Sequence, residues 1–280
     1  MKYLNHFPNS VYNKKIKSHY EYKGNSKLAR ILSKKGYKEI EKNYTYVSPK
    51  IIKKILYTSS YPKKFIKGVG MDLGGGAGII SSTIALSKKV EKIYCNEIVE
   101  NAIKYCHPKV KKKILKKKAN KVISVVGNFN DLKFENNKFD FAIIWDSFHH
   151  SSSPLTTLKQ IKRVLKKNSY LFIIDRAHNN DTPKKEINRA LNHTYDLEFK
   201  KKNYFPLEKK ITRKMNGERE YKFNQLETFF KKTNFKIMDL KILCSDKKMK
   251  KNDIGIRENF VKFKMGGFFK RKVIYSLKNI

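Results

Sequence analysis

From about residue 66 to residue 178 the chain alternates short, almost wholly apolar runs with stretches whose apolar residues recur every three or four positions. The runs are VGMDL (69–73), KIYCNE (92–97), KVISVVG (121–127), FDFAIIW (139–145) and SYLFIID (169–175). Rich in β-branched and aromatic residues and poor in polar alternation, they read as parallel strands covered on both faces. Between them GIISSTIALSKK, EIVENAIKYC and PLTTLKQIKRVLKK carry helical periodicity. In the last of these, Leu155, Leu158, Ile161 and Leu165 fall on one face. Repeated alternation of strand and helix predicts an α/β fold: a doubly wound, mostly parallel, seven-stranded sheet with helices on both faces.

The flanks give a coarser picture. Residues 1–60 read as a mostly helical, tyrosine-rich extension ahead of a core spanning 61–178. Residues 179–225 form a helical and polar insertion, with a helix over 183–205 followed by ITRKMNGEREYKF. Residues 226–280 close the core with the helix QLETFFKKTN, the strand FKIMDLKIL, a loop holding Gly266 and Gly267, and the last strand KRKVIYSLK. The two closing strands suit a β-hairpin at the end of the sheet.

Composition adds a charge problem. The 280 residues include 64 Lys and Arg against 24 Asp and Glu, a net charge of +40. Such an excess attracts polyanions, so a nucleic acid partner stays open. Lysine drift in an AT-rich genome is the favoured account of the lysines, though it does not explain the shortage of acids. The run KVKKKILKKK (109–118) reads as the solvated end of a helix. Cys95, Cys106 and Cys244 show neither a disulfide framework nor zinc spacing, which favours a reducing interior. The start lacks the apolar stretch of a secretory signal, and the apolar window at 68–86 is broken by Asp72 and glycines. A soluble, cytoplasmic chain with no membrane span is the expectation; nothing in the sequence sets the oligomeric state.

One stretch departs from this bulky composition. GMDLGGGAGIIS (70–81) places five of the 13 glycines within nine positions, where the first strand must turn into the first helix. Glycine there lets a ligand approach the backbone and leaves the helix amides free for polar groups. Glu97 ends the next strand, where an acid can accept a pair of ribose hydroxyls. A dinucleotide site would share both features, but here the pattern is D-x-G-x-G-x-G, with an acid ahead of Gly74, Gly76 and Gly78.

With DLGGGAG, Glu97, GNFNDLKF followed by FD, SFHH and RVLKKNS in this order, the chain resembles the class I S-adenosylmethionine-dependent methyltransferases. The resemblance is good over about 66–178 and loose beyond, and it implies S-adenosylmethionine as cofactor. It implies that Gly74, Gly76 and Gly78 face the methionine and ribose, that Asp72 holds the loop, and that Glu97 takes the ribose hydroxyls. Ile98, Asn128 and Phe129 would line the adenine pocket, with Asn128 standing where the family has aspartate. Asp146 would face the methionine end and the substrate.

Methyl transfer from a sulfonium requires an oriented acceptor and exclusion of water; a base helps only where a hydroxyl must lose its proton. His149 and His150 follow the fourth strand, and His149, taken as the less buried, is the candidate base beside Asp146. A packing and capping role for the histidines stands beside that reading. Asp146 and Asp175 without a third ligand make a poor magnesium site, so no metal is expected. Arg176 and His178 either hold a substrate carboxylate or phosphate or pair with neighbouring acids. Arg213 and Tyr221, in the polar insertion, belong either to a substrate lid or to a charged turn, and Tyr44 and Tyr46 either cover the cofactor or pack the core. The expected function is methylation of an oxygen or nitrogen on a small metabolite, such as a sugar or surface-polysaccharide precursor. An RNA methyltransferase and a non-catalytic cofactor-binding scaffold are the alternatives.

Overall fold

The computed structural model describes residues 3–6, 17, 19–44, 48–244, 255–256, 263–265 and 268–280. Five parallel strands carry the core: β2 (Gly68–Leu73), β3 (Val90–Glu97), β4 (Val122–Val126), β5 (Phe139–Trp145) and β6 (Leu165–Ala177). β10 (Phe268–Asn279) runs antiparallel between β6 and β7 (Phe235–Cys244). Short pieces extend these seven strands: β1 (Leu4–Asn5) on β4, β8 (Gly255–Ile256) on β7 and β9 (Phe263–Met265) on β10. Among the described residues the expected seven strands become ten, in the order β1-β4-β3-β2-β5-β6-β10-β7-β8, with β9 off that path. The additions are two or three residues long, too short for a periodicity to be read.

Alternate residues of one strand enter opposite layers, as two-sided burial requires. Phe141 and Ile143 pack with the N-terminal helices, whereas Ala142 and Ile144 pack with the C-terminal ones. The first layer is built by α1 (Tyr20–Lys35), α2 (Tyr37–Tyr44), α3 (Pro49–Leu56), α4 (Ser60–Phe65), α5 (Ile79–Ala85) and α6 (His107–Leu115). The second holds α7 (Pro154–Val164), then α10 (Phe223–Lys232). Leu158 and Ile161 face the core as expected, but Leu165 already opens β6, and Val164 completes the buried face. In the lysine run, Lys111 is buried with Nζ on the Val122 carbonyl, while Lys109, Lys112 and Lys113 stay exposed.

The helix expected over 183–205 is two helices, α8 (Lys184–Asn192) and α9 (Leu197–Lys202). Between them Tyr195 N donates to the Ile211 carbonyl at 3.0 Å, and Asp196 caps the new helix by accepting from Phe199 N at 2.7 Å. Gly266, Gly267 and Tyr46 lie outside the described residues. No helix among the described residues is long and apolar enough to cross a membrane.

The order reverses at β2: the chain goes outward to β3 and β4, then returns to β5 on the other side. Ligands of open α/β sheets bind beyond the strand ends at such a switch point. Here the loop after β2 meets the loop after β5, for a Cβ on Gly74 would come within 2.6 Å of the Ser147 side chain.

Candidate functional site

Two polar constellations meet at this edge. The first is the glycine turn. Gly74, Gly76 and Gly78 have φ of 69°, 54° and 81°, left-handed values that favour glycine. The amides of Gly74 and Gly75 both donate to the Asn96 carbonyl, at 2.9 and 3.0 Å. Buried Glu97 accepts from Gly76 N through Oε2 and from Val99 N through Oε1, each at 2.8 Å. Burial raises its pKa against the pull of those amides. Each carboxylate oxygen keeps a further lone pair.

Asp72, expected to hold the loop, reaches past it to the helix that follows. Its Oδ2 accepts from Ser81 in α5 at 2.5 Å, while Oδ1 is buried without a partner among the described residues, and desolvation lifts its pKa to about 7. Beneath the loop lies a residue the sequence reading missed. His107 Nε2 is 3.0 Å from the Gly76 carbonyl and Nδ1 is 2.8 Å from Ser124 Oγ. Desolvation lowers its pKa to about 4, so the ring is neutral and ties the loop to α6. Its position at a helix start gave no signal in the sequence. Further along, Ile98 and Phe129 are partly buried, and Asn128 Oδ1 accepts from Asn130 N at 2.9 Å. The Nδ2 of Asn128 is buried and has no partner among the described residues.

The second constellation surrounds the mouth at the ends of β5 and β6. Asp146 sits at φ 52°, a conformation rare outside glycine and common at functional positions. Its carboxylate lies 3.3 Å from Arg176 and 3.6 Å from Lys272. Desolvation opposes ionisation there, but these two cations outweigh it and hold the pKa well below the usual range. His149 is the more buried of the two histidines, 2 % exposed in its side chain against 26 % for His150, which reverses the expectation. The reason is Asp175: Oδ1 is 2.7 Å from His149 Nδ1, and Oδ2 accepts from the His149 main-chain N at 3.1 Å.

The polar insertion closes over this pair. Glu218 Oε2 lies 3.0 Å from Arg213, 3.5 Å from Arg176 and 3.7 Å from His149 Nε2. Although burial opposes it, the neighbouring His149 ring and the Arg176 guanidinium bring the Glu218 pKa down to about 2. Arg176 also touches His149 Nε2. Glu220 pairs with Arg213 at 2.5 Å and with His178 at 2.8 Å. Tyr221 contributes main chain, its carbonyl accepting from His178 N at 2.8 Å while its ring packs on Phe148 and Phe229. Glu21 of α1, silent in the sequence, reaches His150 at 3.5 Å and accepts from Asn216 at 3.2 Å.

His149, His150 and Glu218, and likewise Asp146, His149 and Asp175, bring potential metal-ligating atoms within 4.8 Å of one another. The Arg176 guanidinium lies against three of these groups, His149, Asp146 and Glu218.

Residues 71–173 match a methyltransferase-domain family. No curated protein matches the chain. Among solved structures, a Galdieria sulphuraria protein named as a candidate sarcosine dimethylglycine methyltransferase is 17 % identical with a TM-score of 0.52. That match covers 69 % of this chain and 61 % of the other, so the chain spans less than two thirds of that relative. An S-adenosylmethionine-dependent methyltransferase from Methanosarcina mazei is 17 % identical with a TM-score of 0.51, covering 75 % and 91 %. The [4+2]-cyclase SpnF is 15 % identical with a TM-score of 0.51, covering 69 % and 59 %. These likenesses establish the fold, and SpnF's name warns that a shared fold does not fix the reaction. The domain match spans β2 to β6 and takes in both the glycine turn and Glu97.

Proposed function

We propose that the chain methylates a hydroxyl oxygen of a small polar metabolite, a sugar or surface-polysaccharide precursor being the class that suits the mouth. The cofactor, when bound, supplies a methyl group on a sulfonium, already activated for in-line displacement. Gly74, Gly76 and Gly78 would lie against it, and Glu97 would accept its ribose hydroxyls. The orphaned Nδ2 of Asn128 fits an adenine ring nitrogen between Ile98 and Phe129. Asp72 and Asp146 would meet the methionine end.

The observation that carries the acceptor assignment is the pair His149–Asp175. A carboxylate 2.7 Å from Nδ1 selects the tautomer protonated there and leaves Nε2 as the proton acceptor at the mouth. An acceptor with an acidic proton to lose, a hydroxyl, is what such a pair serves. Five of the chain's 24 acids, Glu21, Asp146, Asp175, Glu218 and Glu220, gather here in a protein of charge +40. The test is transfer of label from S-adenosylmethionine to a panel of hydroxylated metabolites and to RNA. Labelling of RNA alone, or of nothing despite cofactor binding, would remove this reading.

A further inference from the structure

The insertion that covers the mouth also places an acid where a substrate group would bind. Glu218 is within 3.7 Å of Arg213, Arg176 and His149 at once, through the single oxygen Oε2. It comes from the loop between α9 and α10 rather than from the sheet, so it can leave without disturbing the strand ends. The groups around it are incompletely satisfied. Arg176 Nε, Arg213 Nε, His178 Nδ1 and Asn216 Oδ1 are all buried without a hydrogen-bond partner among the described residues. The Arg176 Nε contact with Asp146 has ion-pair distance but not hydrogen-bond geometry. The Arg176 and Arg213 side chains are only 10 % and 8 % exposed. Buried donors rarely go unpaired unless a ligand or water completes them.

We infer that Arg176 and Arg213 form a subsite for an anionic group on the substrate, a carboxylate or phosphate, and that Glu218 occupies this subsite until the substrate displaces it. The inference rests on the methyltransferase reading above and narrows its substrate to a hydroxylated acid or phosphate ester. Guanidinium groups suit either anion through paired N–H donors. Arg176 also touches His149 Nε2, the proposed proton acceptor. An anion that draws Arg176 towards itself would therefore free that nitrogen, coupling substrate binding to exposure of the base.

An internal competitor lowers the apparent affinity for its replacement by the fraction of time it leaves the site open. The experiment is calorimetry on the full chain saturated with S-adenosylhomocysteine, with inorganic phosphate, glucuronate, glucose 6-phosphate and glucose as probes. Binding of S-adenosylhomocysteine itself checks folding and the broader reading; its absence would defeat that reading, not this subsite alone. The expected result is binding of charged probes and none of glucose, with the tighter charged sugar naming the group. E218Q should bind that probe at least about fivefold tighter, because the competitor has lost its charge. R176K and R213K, which keep charge but lose the paired donors, should bind it about tenfold more weakly. Binding in E218Q that is unchanged or weaker, or glucose binding as well as the charged sugars, would overturn the inference.

Discussion

At the residue scale, what distinguishes the two histidines is how tightly a carboxylate holds each ring. His149 Nδ1 faces Asp175 within a buried site, whereas His150 faces Glu21 at 3.5 Å in a more open one. H149A and D175N should each lower kcat on the true acceptor by about 10²- to 10⁴-fold. Both should leave the S-adenosylhomocysteine dissociation constant within about twofold of wild type, a small energy on the scale of one pKa unit. H150A should change kcat far less, and steady-state kinetics on the three variants decide the assignment. The glycine turn makes a different kind of prediction. G74V puts a branched side chain into a left-handed position against Ser147, and calorimetry should show cofactor binding lost while the fold survives.

At the element scale, the glycine turn rests on α6 through His107 and is flanked by Asp72, and these two residues respond oppositely to pH. The His107 pKa is depressed to about 4, so the unfolded chain takes up its proton first as pH falls below about 6.5, and stability is lost down to pH 4. The Asp72 pKa is raised to about 7, so the folded chain holds a proton that the unfolded chain releases, and stability is lost as pH rises from about 4 to 7. In wild type the two trends offset each other. H107Q should therefore become more stable on acidification through this window, and D72N less stable, in urea melts at several pH values. The contact between α1 and the segment after α9 is also close. A Cβ on Gly24 would come within 2.3 Å of the Asn203 carbonyl. G24L should cost about 1–3 kcal/mol in the same melts and loosen Glu21 from the mouth.

At the scale of the whole molecule, charge is distributed unevenly. Exposed lysines flank the starts of the parallel strands, among them Lys67, Lys88, Lys89, Lys117, Lys118, Lys166 and Lys167. The acids of the mouth lie at the opposite ends of those strands. Attraction of polyanions to the lysine side is then a matter of field, screened over about 10 Å at 0.1 M salt. RNA of arbitrary sequence should bind weakly, lose its affinity steeply between low and physiological salt, and leave the S-adenosylhomocysteine affinity unchanged. Competition between the two ligands in a fluorescence titration would show that the basic side and the mouth are one surface.

Much of this architecture was legible along the chain because burial on both faces gives parallel strands an apolar signature that needs no partner to be recognised. The five runs from VGMDL to SYLFIID locate β2 to β6, and D-x-G-x-G-x-G marks the turn by composition alone. Other features depend on distance in space. Glu21 lies 197 positions before Glu218, and α6 brings His107 beneath a loop 31 residues earlier, so no local pattern marks either residue. Which carboxylate faces each histidine, which acid sits between the arginines, and how the polar insertion folds back over the strand ends were settled only when the sheet brought those segments together. Periodicity and glycine content report on each residue's own neighbourhood, whereas the charge network exists only between segments that the fold has made neighbours.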